Sequence, residues 1–114
     1  MNSLKNYKLL PTENFMRQVR DLKKVYPNIK NDLKELTHML KQNPRSGKHL
    51  GNQVYKIRLK NSDISKGKSS GYRVITYVID ELENVRLLTI YAKPRKVNIT
   101  DKEIMTILKN ENIC

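Results

Sequence analysis

The residues best suited to chemistry in this sequence are basic. Lys56, Arg58 and Lys60 alternate along one stretch, Lys66 and Lys68 follow, and Arg73 completes six cations in eighteen residues against the single acid Asp63. Lys93, Arg95 and Lys96 form a second group. Such a set could cut RNA, because that substrate carries its own nucleophile in the 2′-hydroxyl. The protein then has to take up that proton, stabilise the charge building on the phosphate and protonate the departing 5′-oxygen. Crowded cations lower one another's pKa, which lets a lysine act as a base near neutral pH, while arginine stays charged and clamps phosphate oxygens at two points. A lone lysine on a strand usually marks a solvated face. Three in a row with no acid between them repel one another, and that favours a polyanion site.

Other chemistries lack their residues. His38 and His49 each stand without a carboxylate or second histidine at ligand spacing, so neither a metal site nor a paired-histidine nuclease is expected. No Gly-rich phosphate loop, nucleophile elbow or metal-binding carboxylate cluster occurs, and no cofactor is expected. Catalysis would fall to Lys, Arg and Tyr. For Tyr91, Tyr55, Tyr72 and Tyr77, spacing alone favours packing roles, although an exposed tyrosine beside cations could stack on a base.

The elements that must position these residues follow from periodicity. After a short extended piece around Tyr7 to Leu10, Thr12 is a candidate helix cap, and Phe15, Val19, Leu22 and Tyr26 mark one face of a helix. Pro27 ends it. Asn28 is placed to cap a second helix carrying Ile29, Leu33, Leu36 and Leu40, which stops at Asn43-Pro44. Two amphipathic helices so closely joined predict a hairpin laid on another surface. That surface is a sheet. Val54 to Lys60 alternates, with Tyr55, Ile57 and Leu59 on one side and the cations on the other. Tyr72 to Ile79 is rich in β-branched residues with little alternation, as in a strand covered on both faces. Glu83-Asn84 supplies a turn into Val85 to Ala92, where strict alternation sets Leu88, Ile90 and Ala92 on one side and Leu87, Thr89 and Tyr91 on the other. Thr100 with Glu103 matches a capping box opening a last helix. Gly47 to Gln53 and Lys60 to Gly71 read as loops. The expected fold is α+β, a helical hairpin on a twisted, mainly antiparallel sheet of about four strands in the order β-α-α-β-β-β-α.

The chain has 114 residues, a formal charge of +12 and a pI near 9.9, which fits one domain over residues 1–114 and a surface that attracts polyanions. Cys114 is the only cysteine, so an intrachain disulfide is excluded and a reducing compartment fits. The first residues lack the apolar run of a signal peptide, and no stretch is long enough to span a bilayer, so a cytoplasmic protein without membrane partners is expected.

Three tracts together resemble a known family: Tyr55-Lys56-Ile57-Arg58-Leu59, Ser65 to Ile75 with its Lys66-Gly67-Lys68 and Gly71-Tyr72-Arg73, and Leu87 to Lys93. They resemble the RelE/ParE superfamily of bacterial toxins, nearest its HigB-like RelE branch, and Phe15 to Pro44 looks like that family's helical hairpin. The resemblance covers nearly the whole chain. It implies a RelE-like fold and a ribosome-dependent messenger-RNA endoribonuclease of a type II toxin-antitoxin system, cutting in the ribosomal A site by the 2′-hydroxyl route without a metal. Its implied partner is a cognate antitoxin, through which the complex would bind operator DNA.

Carried over by motif, Lys56 and Arg58 match the family's basic pair, and Arg73 matches the arginine that contacts the scissile phosphate. Lys93 matches the lysine ending the last strand, and Lys66 and Lys68 the lysines of the loop. Lys60, Arg95 and Lys96 join them as expected RNA or ribosome contacts. The sequence departs from the family where some members use a tyrosine close to the C-terminus, since none follows Tyr91. The arginine expected after the last strand is displaced to Arg95 by Pro94. Tyr91 or Lys93 is therefore a candidate replacement in the active site. Two alternatives remain at this level: a gyrase poison of the ParE kind, which would not cleave, and an RNA-binding module that binds phosphate without cutting.

Overall fold

The computed structural model describes residues 8–64, 70–79, 84–93, 96 and 98–111. Its elements are β1 (Leu9–Pro11), α1 (Glu13–Lys23), α2 (Ile29–Gln42), β2 (Lys48–Gly51), β3 (Val54–Leu59), β4 (Tyr72–Ile79), β5 (Asn84–Ala92) and α3 (Asp101–Asn110). The strands form one sheet in the order β1-β5-β4-β3-β2, antiparallel except where β1 runs parallel to β5.

Local chemistry sets the helix boundaries. The Thr12 hydroxyl accepts from the Phe15 N–H and starts α1, and Thr100 with Glu103 forms both bonds of the expected capping box at α3. Lys96 reaches the same carboxylate at 2.9 Å, and the Thr100 backbone N–H together with Lys96 holds Glu103 below the usual carboxylate range. Asn28 precedes α2 as expected, but its side chain does not cap the helix. It donates instead to Asp63 at 2.7 Å, while Asp32 accepts from Ser62, so the start of the β3–β4 connection is tied to the first turn of α2.

The sheet separates two apolar clusters. On one face α1 and α2 bury Phe15, Ile29, Leu36 and Leu40 against Ile57, Leu59, Tyr72, Val74 and Val78. On the other, α3 brings Ile104 and Leu108 onto Val54, Ile75, Leu88 and Tyr91. β4 is buried on both faces, as its β-branched and aromatic run with little alternation predicts.

Two expectations need correction. The sheet has five strands, because Lys48–Gly51, read as part of a loop, pairs with β3 around a turn in which Asn52 and Gln53 have φ of 50° and 67°. Four residues containing a glycine and no β-branched side chain give almost no strand signal, and backbone pairing at an edge supplies what propensity lacks. In β5, strict alternation fails. Ile75 pairs with Thr89 but Thr76 pairs with Leu87, which leaves Leu88 as an extra residue in a β-bulge. Leu87 thus joins Ile90 and Ala92 on the α1–α2 side, and Leu88 joins Tyr91 on the α3 side. Tyr7, Glu83 and Cys114 lie outside the described residues.

Candidate active site

The cations of β3 and β4 sit on the face that α3 covers only in part. Because Ile57, Leu59, Tyr72 and Val74 fill the α1–α2 side, Lys56, Arg58 and Arg73 must project from the opposite one. Strand register then sets them in rows. Arg58 is directly opposite Arg73, and Arg73 is directly opposite Tyr91, so these three stand side by side across three strands. Two residues along β3, Lys56 stands opposite Lys48 on β2. Two like-charge pairs therefore face each other across neighbouring strands, where each is expected to cost a few tenths to about 1 kcal/mol.

Lys48, Lys56, Arg58 and Arg73, together with Lys93 and Asn98 and with Met39 of α2, line an open cleft of about 680 Å³. Arg73 is 4 % exposed, donates to the Tyr72 carbonyl at 3.3 Å and forms part of the cleft wall. Burial, and then Lys48, Arg73, Lys93 and Arg58, lower the Lys56 pKa, which favours its neutral form. Burial and Arg58 also lower that of Arg73, an effect Tyr91 opposes. Arginine starts so high that it remains a cation at neutral pH. The cleft thus combines a lysine biased toward giving up its proton with a fixed guanidinium, the pair that phosphodiester cleavage needs.

Glycine permits this arrangement at one edge. Gly47, with φ of 97°, leads into β2, and a Cβ there would run into the Lys56 carbonyl oxygen and come within 2.8 Å of Ile57 Cγ1. The close approach brings β2, and Lys48 with it, against β3.

No protein-family model and no curated protein matches the sequence. Solved structures do match. The free state of an E. coli toxin RelE mutant, with two arginines replaced by alanine, aligns at a TM-score of 0.57 and 23 % identity, covering 91 % of this chain and 96 % of its own. The intact E. coli RelBE toxin-antitoxin complex aligns at 0.56 and 27 %, covering 76 % and 96 %. The isolated E. coli RelE toxin aligns at 0.55 and 23 %, covering 92 % and 99 %. The chain has the fold of the RelE toxins.

Within this RelE-like fold the expected site residues divide. Lys56, Arg58, Arg73 and Lys93 come together in the cleft. Lys60 is exposed just beyond β3 and is not part of the cleft wall. Lys96 is ion-paired with Glu103 and borders the groove between α1 and α3. Lys66, Lys68 and Arg95 lie outside the described residues. Tyr91 stands beside Arg73 but is 5 % exposed and outside the cleft wall, its hydroxyl buried without a hydrogen-bond partner among the described residues. Burial raises its pKa, Arg73 opposes that shift and Glu103 adds to it. Tyr91 thus lies next to Arg73 in the sheet and not in the cleft wall.

Lys48 and Asn98 were missed by sequence reasoning. Lys48 became recognisable only when its segment proved to be a strand in register with β3. Asn98 carries no pattern from which it could have been found. Among the described residues, no group of three or more His, Cys, Asp or Glu could hold a metal ion, and no helix is long and apolar enough to cross a membrane.

Proposed function

We propose that this protein is the toxin of a type II toxin-antitoxin pair, a metal-independent endoribonuclease that cuts messenger RNA in the ribosomal A site and so stops translation. The observation that carries the reading is the pair of like-charge rows, Lys48 with Lys56 and Arg58 with Arg73, facing one open cleft. A sheet gains nothing from opposing its own cations, and an RNA phosphate between them turns the repulsion into binding. Arg73 holds the scissile phosphate, neutral Lys56 takes the 2′-hydroxyl proton, and Lys93 is the donor available to the departing 5′-oxygen. Arg58 and Lys48 complete the positive lining, and the carried-over Lys66, Lys68 and Arg95 extend contact to the ribosome.

The partner proposed is an antitoxin, since the similar structures include E. coli RelE with antitoxin RelB and with a RelB peptide. An acidic antitoxin segment laid over the cleft would neutralise its field, and the antitoxin would carry any operator DNA contact. The work of such a toxin places it in the cytoplasm.

Primer extension on a message in a reconstituted translation reaction tests the reading, with an Arg73→Ala protein and a ribosome-free reaction alongside. Cuts within codons that need both ribosomes and Arg73 are expected. An intact message with normal translation would sink the proposal and turn attention to gyrase. An intact message with translation blocked would leave a protein that occupies the ribosome without cutting.

A further inference from the structure

Three side chains from the start of α1 converge on the β5 bulge. β1 ends at Pro11, so beyond Leu87 this edge of β5 has no strand beside it among the described residues. The Leu87 carbonyl accepts from the Thr12 backbone N–H at 3.1 Å. Past that bond, the backbone groups of the bulge along this edge must be satisfied by something other than a strand. The Thr12 hydroxyl shares its one proton between Leu87 O at 2.9 Å and Leu88 O at 3.2 Å. The Asn14 side-chain amide donates to Leu88 O at 2.8 Å. Gln18 Oε1 accepts from the Thr89 hydroxyl at 2.7 Å and from the Ile90 N–H at 2.9 Å. Tyr91 is the next residue.

The bulge decides where Tyr91 points. Strict alternation from Leu87 would set Tyr91 on the α1–α2 face, away from the cations, and the one extra residue turns it to stand opposite Arg73. We infer that Gln18, assisted by Asn14 and Thr12, is a positioning residue that holds the β5 bulge in register and so fixes Tyr91 against Arg73. The inference rests on the proposed cleavage reaction for its effect on rate. Its structural half stands on the bulge alone. With its tyrosine neighbour displaced, the Arg73 guanidinium keeps its bond to the Tyr72 carbonyl but loses the packing beside it and would shift. A misplacement of about 1 Å costs roughly a hundredfold in rate.

The test uses Gln18→Leu, which removes the acceptor, and Gln18→Glu, which keeps an acceptor in its place. Asn14→Ala is a milder break on the opposite side of the bulge, should Gln18→Leu not fold. Two readouts are taken on each protein: the NMR signal of the Arg73 side-chain N–H, and cleavage on programmed ribosomes under saturating and limiting conditions. In Gln18→Leu the Arg73 signal is expected to move or broaden and kcat to fall about a hundredfold, with KM within about twofold. Gln18→Glu is expected to restore both, and Asn14→Ala to shift them in the same direction by less. An Arg73 signal unmoved in folded Gln18→Leu or Asn14→Ala overturns the inference whether or not RNA is cut. A moved signal with kcat unchanged overturns its catalytic half. A wild-type protein that never cuts overturns the proposed function instead, and the Arg73 signal alone then decides whether the clamp exists.

Discussion

The two faces of the sheet follow opposite rules. On the α1–α2 side the strands pack apolar side chains against the helices, and Ile29, Leu36, Leu40, Tyr72, Val74 and Val78 are at most 1 % exposed. On the other side α3 covers Val54, Ile75 and Leu88, while the neighbouring stretch sets arginine against arginine and lysine against lysine. The first face stabilises the fold, and the second gives up part of that stability. Clustered like charges that a sheet does not need are a mark of binding or catalysis. The difference teaches that substitutions on the two faces should change stability and activity in opposite senses.

The sharpest break is Arg73→Ala, on the cationic face. Loss of the buried guanidinium from the cleft wall is expected to lower cleavage at least a thousandfold, about 4 kcal/mol of transition-state stabilisation. Melting temperature should change little by comparison. Single-turnover cleavage with a parallel thermal melt checks this, and a variant within tenfold of wild type would remove Arg73 from the mechanism. Leu36→Ala is the counterpart on the apolar face. Leu36 is 1 % exposed within the α1–α2 cluster, so its truncation is expected to cost about 3 kcal/mol. Below the new melting point cleavage should stay close to normal. A large activity loss in a fully folded Leu36→Ala protein would show that the faces are not separable.

Arg58→Gln asks for opposite signs in a single protein. Relieving the repulsion between Arg58 and Arg73 is expected to raise stability by about 0.5 kcal/mol, less at high salt because Arg58 is exposed. Cleavage should fall as the cleft loses a phosphate contact. Urea melts at two salt concentrations measure the first effect. Destabilisation would mean that the pair is held by something stronger than its charge.

How much of this was legible depended on which face a residue serves. The α1–α2 face was read almost completely, since burial writes a period of 3.6 or 2 into the sequence and Phe15, Leu36, Ile57 and Leu59 obey it. The cations of the other face were found because alternation on β3 forced Lys56 and Arg58 away from the core. Their meeting with Arg73 depended on which way that side chain points, and strand register, which sets Arg58 directly opposite Arg73, is what decides it. Alternation could not reveal a bulge, because one unpaired residue such as Leu88 leaves no mark in composition yet reverses every position beyond it. This is why Tyr91 was placed on the same side as Leu87. Nor could periodicity find β2, whose Lys48 is aligned with Lys56 by pairing and by the close approach at Gly47.

Lys48 therefore offers the finest test of the cationic face. Lys56 works as a base only when neutral, and its pKa is lowered first by burial and next by Lys48. Lys48→Gln removes one of those positive neighbours and raises the Lys56 pKa, so the rising limb of kcat against pH is expected to move to higher pH. Rates should be lower than wild type on the limb and converge with it once Lys56 is neutral in both proteins. Stability gives a second reading with its own sign. Because the folded pKa of Lys56 is depressed, the unfolded chain holds more protons between the folded and unfolded values, and stability rises with pH across that window. In Lys48→Gln the window narrows from its lower end and that rise shrinks. A rate limb that stays in place while the stability window narrows would show that Lys56 feels Lys48 but is not the base, and would pass that role to another group in the cleft.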